Sequence, residues 1–154
     1  MLKAMQPWLY AALLLGGANF AVASDVKPVS LNAGIHLIQA EVANTHATRM
    51  RGLMYRRTLE GNRGMVFVFP DEGRHCMWMR NTYVPLSVAF IDDRGAIVNI
   101  EDMVPHSEDQ HCAARPVRYA LEMSKGWFAA RGLKSGMRVS GLEQLSAADQ
   151  DDGQ

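Results

Sequence analysis

Two His-Cys pairs carry the most reactive side chains of the chain, His75-Cys76 in HCMWMRNT and His111-Cys112 in DQHCAARP. Thiol and imidazole groups can bind a metal, form a disulfide, or act as nucleophile and base. Cys76 and Cys112 are the two cysteines of the chain, and a bond between them would close a loop of 112 − 76 = 36 residues. Such a crosslink is worth about 4 kcal/mol on the chain-entropy model, and the sequence predicts that Cys76 and Cys112 form it.

The same stretch offers a possible copper site. Alternate residues of a strand share a face, so His75, Met77 and Met79 would lie on one side. Imidazole and thioether groups suit Cu(I), and Met103 and His106 could complete the set. Methionine is also common core filler, and the sequence favours burial of these methionines in the core, with copper binding as the alternative.

A thiol-dependent or hydrolytic enzyme is the third possibility. It would need a free thiol with a base in reach, and a disulfide would remove the thiol. The chain has no Gly-x-Ser-x-Gly elbow, phosphate-binding loop, dinucleotide fingerprint or His-Glu-x-x-His motif. The sequence therefore favours a role other than catalysis and predicts no resident cofactor, with Cu(I) as the alternative.

A group of polar and aromatic residues could form a binding surface. Guanidinium groups beside aromatic rings are suited to binding carboxylates, phosphates or sugars. The alternative is that Arg80 and Glu122 pair with each other on neighbouring strands. The candidate ligand-binding residues are Arg51, Trp78, Arg80, Asn81, Thr82, Glu122 and Trp127.

The N-terminal segment MLKAMQPWLYAALLLGGANFAVAS predicts export. A lysine precedes an apolar run that ends in Ala21-Val22-Ala23, which is the layout of a signal peptide cleaved after Ala23. The apolar run is too short for the ~20 residues that span a bilayer, so we expect no stable membrane insertion after cleavage. The sequence thus predicts a periplasmic or secreted protein, a location where disulfides form.

Removal of residues 1–23 leaves 131 residues with 15 basic and 16 acidic side chains. This length suits one domain. The near-neutral balance gives no support to a nucleic acid partner, which needs a basic face. A small molecule, a glycan or an envelope protein remains as the partner.

The pattern of short apolar stretches predicts a mainly β single domain, a β-sandwich, jelly roll or barrel, with two short helices. Strands are expected in IHLIQAEVA, MVFVF, HCMWM, LSVAFID, AIVNIE, VRYALEM and MRVSGL, with DDRG as a hairpin turn. The helices are expected in NTHATRMRGLMYR and KGWFAARG. The domain is expected to span residues 35–142, between a flexible N-terminal segment (24–34) and a disordered acidic tail (143–154).

An ordered series of motifs resembles a known family, the domain of unknown function 192. The motifs are Arg-Gly-Leu-Met (51–54), Gly-Met-x-Phe-x-Phe (64–69), Trp-Met-Arg-Asn-Thr (78–82), Pro-Leu (85–86), Ala-Phe-Ile-Asp (89–92) and Tyr-x-Leu-Glu (119–122). The resemblance implies a compact, mostly β domain, often exported, with no established reaction and no catalytic residues to carry over. Ser87 stands where many relatives have aspartate, and the cysteine positions vary among relatives. The sequence is therefore interpreted as an exported, non-enzymatic binding or accessory module of the cell envelope.

Overall fold

The computed structural model describes residues 28–148, which form a mainly β structure as the sequence predicts. One α-helix, α1 (His46–Arg51), and two short 3₁₀ turns, Ala129–Arg131 and Leu142–Gln144, accompany the strands of this part of the chain. The strands are β1 (Val29–Ala33), β2 (His36–Ala43), β3 (Arg63–Gly73), β4 (Cys76–Met77), β5 (Leu86–Ile91), β6 (Ile97–Met103), β7 (His111–Cys112), β8 (Val117–Ser124) and β9 (Val139–Ser140).

Seven strands form one curled sheet in the order β6-β5-β8-β3-β2-β1-β9, and β4 pairs with β7 in a separate small sheet. The pair β2 and β3, which α1 connects, is parallel, and the other pairs are antiparallel. The edges of the large sheet meet at one end, where Ile97 N–H donates to the Met137 carbonyl and Val139 N–H to the Gly95 carbonyl, both at 2.8 Å. The sheet therefore curls into a half-barrel, within the range of folds that the strand pattern predicts.

Apolar side chains cover both faces of the central strands. A first cluster draws on both edges of the sheet, with Leu31, Ile97 and Val139 among its members, and so fills the inside of the curl. A second cluster lies on the opposite face and includes Phe67 and Val88. Strands buried on two faces read as continuous apolar runs, which explains why β3 and β5 carry MVFVF and LSVAFI.

The hairpin between β5 and β6 forms at DDRG as predicted. The Asp92 carboxylate accepts hydrogen bonds from the backbone N–H groups of Arg94 (3.1 Å) and Ala96 (2.8 Å). Gly95 has φ +84°, and a Cβ there would come within 2.6 Å of the Val139 carbonyl oxygen. A side chain at this position would therefore separate the two sheet edges that meet beside it.

Several expectations need correction. Residues 29–33, expected in a flexible N-terminus, form β1 because Leu31 and Ala33 are fully buried. Residues 143–148, expected in a disordered tail, stay on the protein surface: Leu145 and Ala147 pack against the first cluster, and Ala148 N–H donates to Asn44 at 2.9 Å.

The second predicted helix is the 3₁₀ turn Ala129–Arg131, and the strand expected in HCMWM ends at Met77. The predicted signal peptide lies outside the described residues. In the part of the chain that the structure describes, no helix is long and apolar enough to cross a membrane.

Candidate functional site

A cavity of about 490 Å³ lies on the face of the sheet that carries the second cluster. Its walls come from α1 and the residues after it, from β3, and from residues 75–82. Apolar side chains that line it include Met50, Leu53, Phe67, Phe69 and Met77. Its volume lies within the roughly 300–1,000 Å³ of pockets that hold small organic ligands.

Glu122 of β8 lines this cavity with its side chain almost fully buried, at 3% exposure. The residues directly opposite it on the adjacent strands are Met65 of β3 and Val88 of β5. The Glu122 side chain lies among the apolar residues of the second cluster and opens onto the cavity. Burial raises the pKa of Glu122 from 4.5 to about 8, so the group is mostly protonated at neutral pH and offers an O–H donor.

Helix α1 brings arginines to the cavity. Thr45 and Thr48 form a capping box that fixes the start of this short helix. The Arg49 guanidinium donates to the carbonyl oxygens of Asn44 (2.8 Å) and Val68 (3.1 Å), which ties the helix to β3. Arg51, at the end of the helix, is exposed and lines the cavity rim.

The turn at residues 79–82 forms another part of the rim. It closes through a hydrogen bond from Thr82 N–H to the Met79 carbonyl (3.0 Å), with Asn81 at φ +54°. The Thr82 hydroxyl donates to the Arg80 carbonyl at 3.2 Å. The Arg80 guanidinium lies 5.6 Å from the Trp78 ring centre, and its Nε is 3.5 Å from Glu108. Arg80 therefore pairs with Glu108, and the alternative pairing with Glu122 does not form.

The structure brings five of the seven candidate ligand residues to this cavity: Arg51, Trp78, Arg80, Thr82 and Glu122. Asn81 sits in the adjoining turn, where its carbonyl accepts a hydrogen bond from Tyr55 N–H at 2.9 Å. Trp127 is elsewhere, buried in the first cluster, with its indole N–H on Asn62 (3.1 Å) and Arg131 over its ring (4.1 Å). Trp127 therefore does not belong to the site.

Sequence reasoning missed the apolar part of the site. Leu53, Phe67 and Phe69 read as ordinary core residues, and the structure places them in the second cluster as well as in the cavity wall. The signal that could have indicated the site was Glu122, a carboxylate within the apolar strand VRYALEM.

The predicted disulfide between Cys76 and Cys112 is present, with an S–S distance of 2.02 Å. The two cysteines lie directly opposite each other on β4 and β7. Neither of them is then available as a thiol nucleophile or a thiolate ligand. Cys76 also lines the cavity, next to His75, whose ring stacks on Phe69 with 3.7 Å between the ring centres.

The five candidate copper ligands have different environments. Met79 and Met103 are fully buried in the second cluster, and Met77 is part of the same cluster. The His75 ring contacts Phe69, whereas the His106 ring contacts Tyr83. Among the described residues, no three His, Cys, Asp or Glu side chains are grouped in a way that could hold a metal ion.

A second cavity, of about 410 Å³, lies beside Ser87 and Asp102. The Ser87 hydroxyl donates to the Asp102 carboxylate at 2.5 Å and accepts from Gly126 N–H at 2.8 Å. These bonds hold the loop after β8 against β5. Ser87 is therefore fully engaged in structural hydrogen bonds.

Residues 29–141 match the family model DUF192, described as Uncharacterized ACR. Two solved structures are similar. One, from Sinorhizobium meliloti and provisionally described as a transcription regulator, shares 35% identity over 77% of this chain and 98% of its own, with a TM-score of 0.71. The other, a protein of unknown function from Novosphingobium aromaticivorans, shares 32% identity over 77% of this chain and 88% of its own, with a TM-score of 0.73. No curated protein matches the chain.

Proposed function

The chain belongs to the DUF192 family, and from that premise we propose that it is a non-enzymatic binding module of the cell envelope. Its ligand site is the cavity that Glu122, Trp78 and the α1 arginines line. The family itself has no established function, so the proposal depends on the cavity. A small molecule or a part of a glycan is the ligand class that such a volume accommodates.

The observation that carries the proposal is the buried Glu122 carboxyl group. Removing a carboxyl group from water costs stability, and an apolar residue such as Leu at this position of β8 would avoid that cost. Functional sites are where such unfavourable arrangements persist. Glu122 faces a cavity with apolar walls and a few polar groups, the composition expected of a ligand site.

The cavity supports binding better than catalysis. A hydrolytic or thiol-dependent reaction needs a nucleophile and a base close together. The two cysteines are joined to each other, and Ser87 lies at the other cavity with its hydroxyl bonded to Asp102. We therefore assign Glu122 a recognition role.

Nucleic acid is not the partner we propose, although one structural relative is provisionally described as a transcription regulator. Binding to DNA requires a basic face and an element that enters a groove. This chain has 16 basic and 16 acidic side chains, and the α-helix of its described part spans six residues.

Two features support the proposed envelope location. Residues 1–23 have the layout of a signal peptide with cleavage after Ala23, and the Cys76–Cys112 disulfide is compatible with an oxidising compartment. The N-terminal sequence of the protein recovered from an export-competent host tests this location. A chain that keeps residues 1–23 and stays in the cytoplasm would contradict it.

A ligand screen by native mass spectrometry tests the binding site. We propose the blocked variant Met50→Trp/Met54→Trp, since both residues line the cavity and Met50 is 51% exposed. The matched control is Met137→Trp, at a residue of similar exposure (38%) that does not line the cavity. Ligands of the wild type should bind the control and not the blocked variant. Equal binding to all three proteins would place the site elsewhere.

A further inference from the structure

We propose that the cavity selects an apolar organic acid that carries a hydrogen-bond acceptor at the end opposite its carboxylate. The carboxylate lies at the Arg51 and Arg80 rim, the chain lies along the apolar wall, and the acceptor takes a hydrogen bond from Glu122. This inference rests on the proposed function, because it names the ligand class of the same cavity.

The rim favours an anion. Arg51 is exposed at the end of α1, and Arg80 projects from the turn at residues 79–82. The Arg80–Glu108 pair is 3.5 Å long with both side chains more than half exposed, and exposed pairs of this kind contribute at most about 1 kcal/mol. A ligand carboxylate can replace Glu108 at little cost and form the stronger, forked hydrogen bonds that arginine offers.

The wall favours an apolar chain. The apolar side chains that line the cavity include Met50, Leu53, Phe67, Phe69 and Met77. Methionine and aromatic side chains adapt to a flexible hydrocarbon chain. The apolar surface that such a chain removes from water gives the ligand most of its affinity.

The Glu122 carboxyl group favours a ligand with a hydrogen-bond acceptor atom. Glu122 is protonated at neutral pH because burial raises its pKa to about 8, and a protonated carboxyl group has one O–H to donate. Of its cross-strand neighbours, Val88 has no acceptor atom and the Met65 sulfur is a weak one. A ketone, ester or hydroxyl oxygen at the far end of the ligand can accept this hydrogen bond.

The other charged or titratable groups of the cavity do not neutralise the rim. They come from α1, from the segment before β4 and from the turn after it, and they are His46, Arg49, Arg51, His75 and Arg80. All of them are basic, and Glu122, the acidic side chain among the described lining residues, is mostly protonated near neutral pH. A cationic ligand would therefore meet repulsion at the rim and would have to ionise Glu122.

Four matched series of straight-chain probes of roughly five to ten carbons test the inference by calorimetry. The first carries a carboxylate and a ketone next to the far methyl group, the second lacks the ketone, the third is the methyl ester of the first, and the fourth has an amine at the far end. At pH 6 we expect the best keto acid to bind about tenfold more tightly than its ketone-free and esterified counterparts. At pH 10, two units above the pKa of about 8, the advantage of the ketone should disappear.

Variants assign each preference to its residue. Glu122→Gln keeps a donor and should preserve the preference for the ketone while removing its pH dependence, whereas Glu122→Met should lose that preference at both pH values. Arg51→Gln/Arg80→Gln should lose the preference for the acid over its ester. Arg94→Gln, in the exposed hairpin away from the cavity, should keep both preferences.

Two outcomes would overturn the inference and leave the binding site intact. One is tighter binding of the amino acids than of the keto acids, which would make Glu122 a counterion for a cation. The other is failure of all four series while ligands from the screen still bind and are excluded by Met50→Trp/Met54→Trp. If neither the probes nor the screen gives a ligand that the blocked variant excludes, the proposed function fails as well.

Discussion

Glu122 of β8 lies directly opposite Met65 of β3, so a carboxyl group faces a thioether in the middle of the sheet. On its other side it faces Val88 of β5, which is fully buried. Val88 has no hydrogen-bond acceptor, and the Met65 thioether sulfur is only a weak one. The neutral, protonated form of Glu122 is therefore the form that the folded protein accommodates.

This environment makes the stability of the protein depend on pH. The pKa of Glu122 is about 8 in the folded protein against an ordinary value of 4.5, so between these values the folded state holds a proton that the unfolded state has released. The free energy of unfolding should therefore fall as the pH rises from 4.5 to 8, on the order of 2–3 kcal/mol between pH 5 and pH 7. Urea denaturation at a series of pH values measures this fall in the free energy of unfolding.

Glu122→Gln is the matched control for this pH effect, because the amide has the same shape and does not titrate. We expect the free energy of unfolding of the variant to change much less with pH in the same range. At pH 8 the variant should be more stable than the wild type. Identical pH profiles of the two proteins would show that Glu122 is not the group responsible.

The disulfide should supply a large part of the stability. Cys76→Ser/Cys112→Ser removes a crosslink between residues 36 positions apart, and we expect the free energy of unfolding to fall by about 4 kcal/mol. Wild-type protein treated with a thiol reductant should lose a similar amount. Alkylation of the unreduced wild type, followed by an intact mass measurement, tests directly whether the two cysteines are joined. Two thiols that react without reduction would contradict the disulfide.

Gly64 is required because β3 and β8 approach closely. A Cβ at this position would collide with the Glu122 carbonyl oxygen and the Met123 sulfur. We expect Gly64→Ala to destabilise the protein by roughly 1–3 kcal/mol or more, measured by urea denaturation. In Gly73→Ala, in the same strand, the new Cβ would meet the His75 ring at 3.3 Å, a contact that a small movement of this side chain relieves, so stability should change by less than about 1 kcal/mol. Equal losses in the two variants would contradict a specific collision at Gly64.

Much of the fold was predictable because local patterns determine it. The apolar runs MVFVF and LSVAFID mark β3 and β5, Thr45 begins α1, and DDRG forms the hairpin through the Asp92 side chain. Alternating side chains in HCMWM indicate a strand through Met79, and this pattern does not reveal that the strand ends at Met77. The chain turns after Met77 because Asn81 adopts a positive φ and Thr82 bonds back to Met79.

The candidate site was predictable only in part, since it depends on elements far apart in sequence. Glu122 and Arg118 alternate with apolar residues, which indicates a polar outer face for β8. The strand lies between β3 and β5, and the second cluster covers this face of the sheet, so Glu122 is buried where alternation alone predicts an exposed side chain. Trp127 was a candidate because an aromatic ring beside guanidinium groups suits a binding surface, yet the structure places its ring in the first cluster.

Copper binding is the untested alternative, and a Cu(I) titration tests it. The candidate ligands are His75, Met77, Met79, Met103 and His106. Met79 and Met103 are fully buried, and the two histidines contact different aromatic rings, so we expect no stoichiometric uptake of Cu(I) against a competing chelator. Met79→Leu and Met103→Leu should behave like the wild type in this titration. Uptake of one equivalent that either substitution abolishes would establish the copper site and contradict the assignment of these methionines to the core.

The two tryptophans of the described chain should report ligand binding differently. Trp78 lines the cavity, whereas Trp127 lies in the first cluster on the other face of the sheet, so a ligand in the cavity should alter the fluorescence of Trp78 alone. We expect the ligand-induced change to persist in Trp127→Phe and to vanish in Trp78→Phe. Binding of the same ligand is followed in parallel by calorimetry, because Trp78→Phe keeps most of the wall and should retain measurable affinity. A fluorescence change that disappears in Trp127→Phe would place the ligand at the first cluster and contradict the cavity as its site.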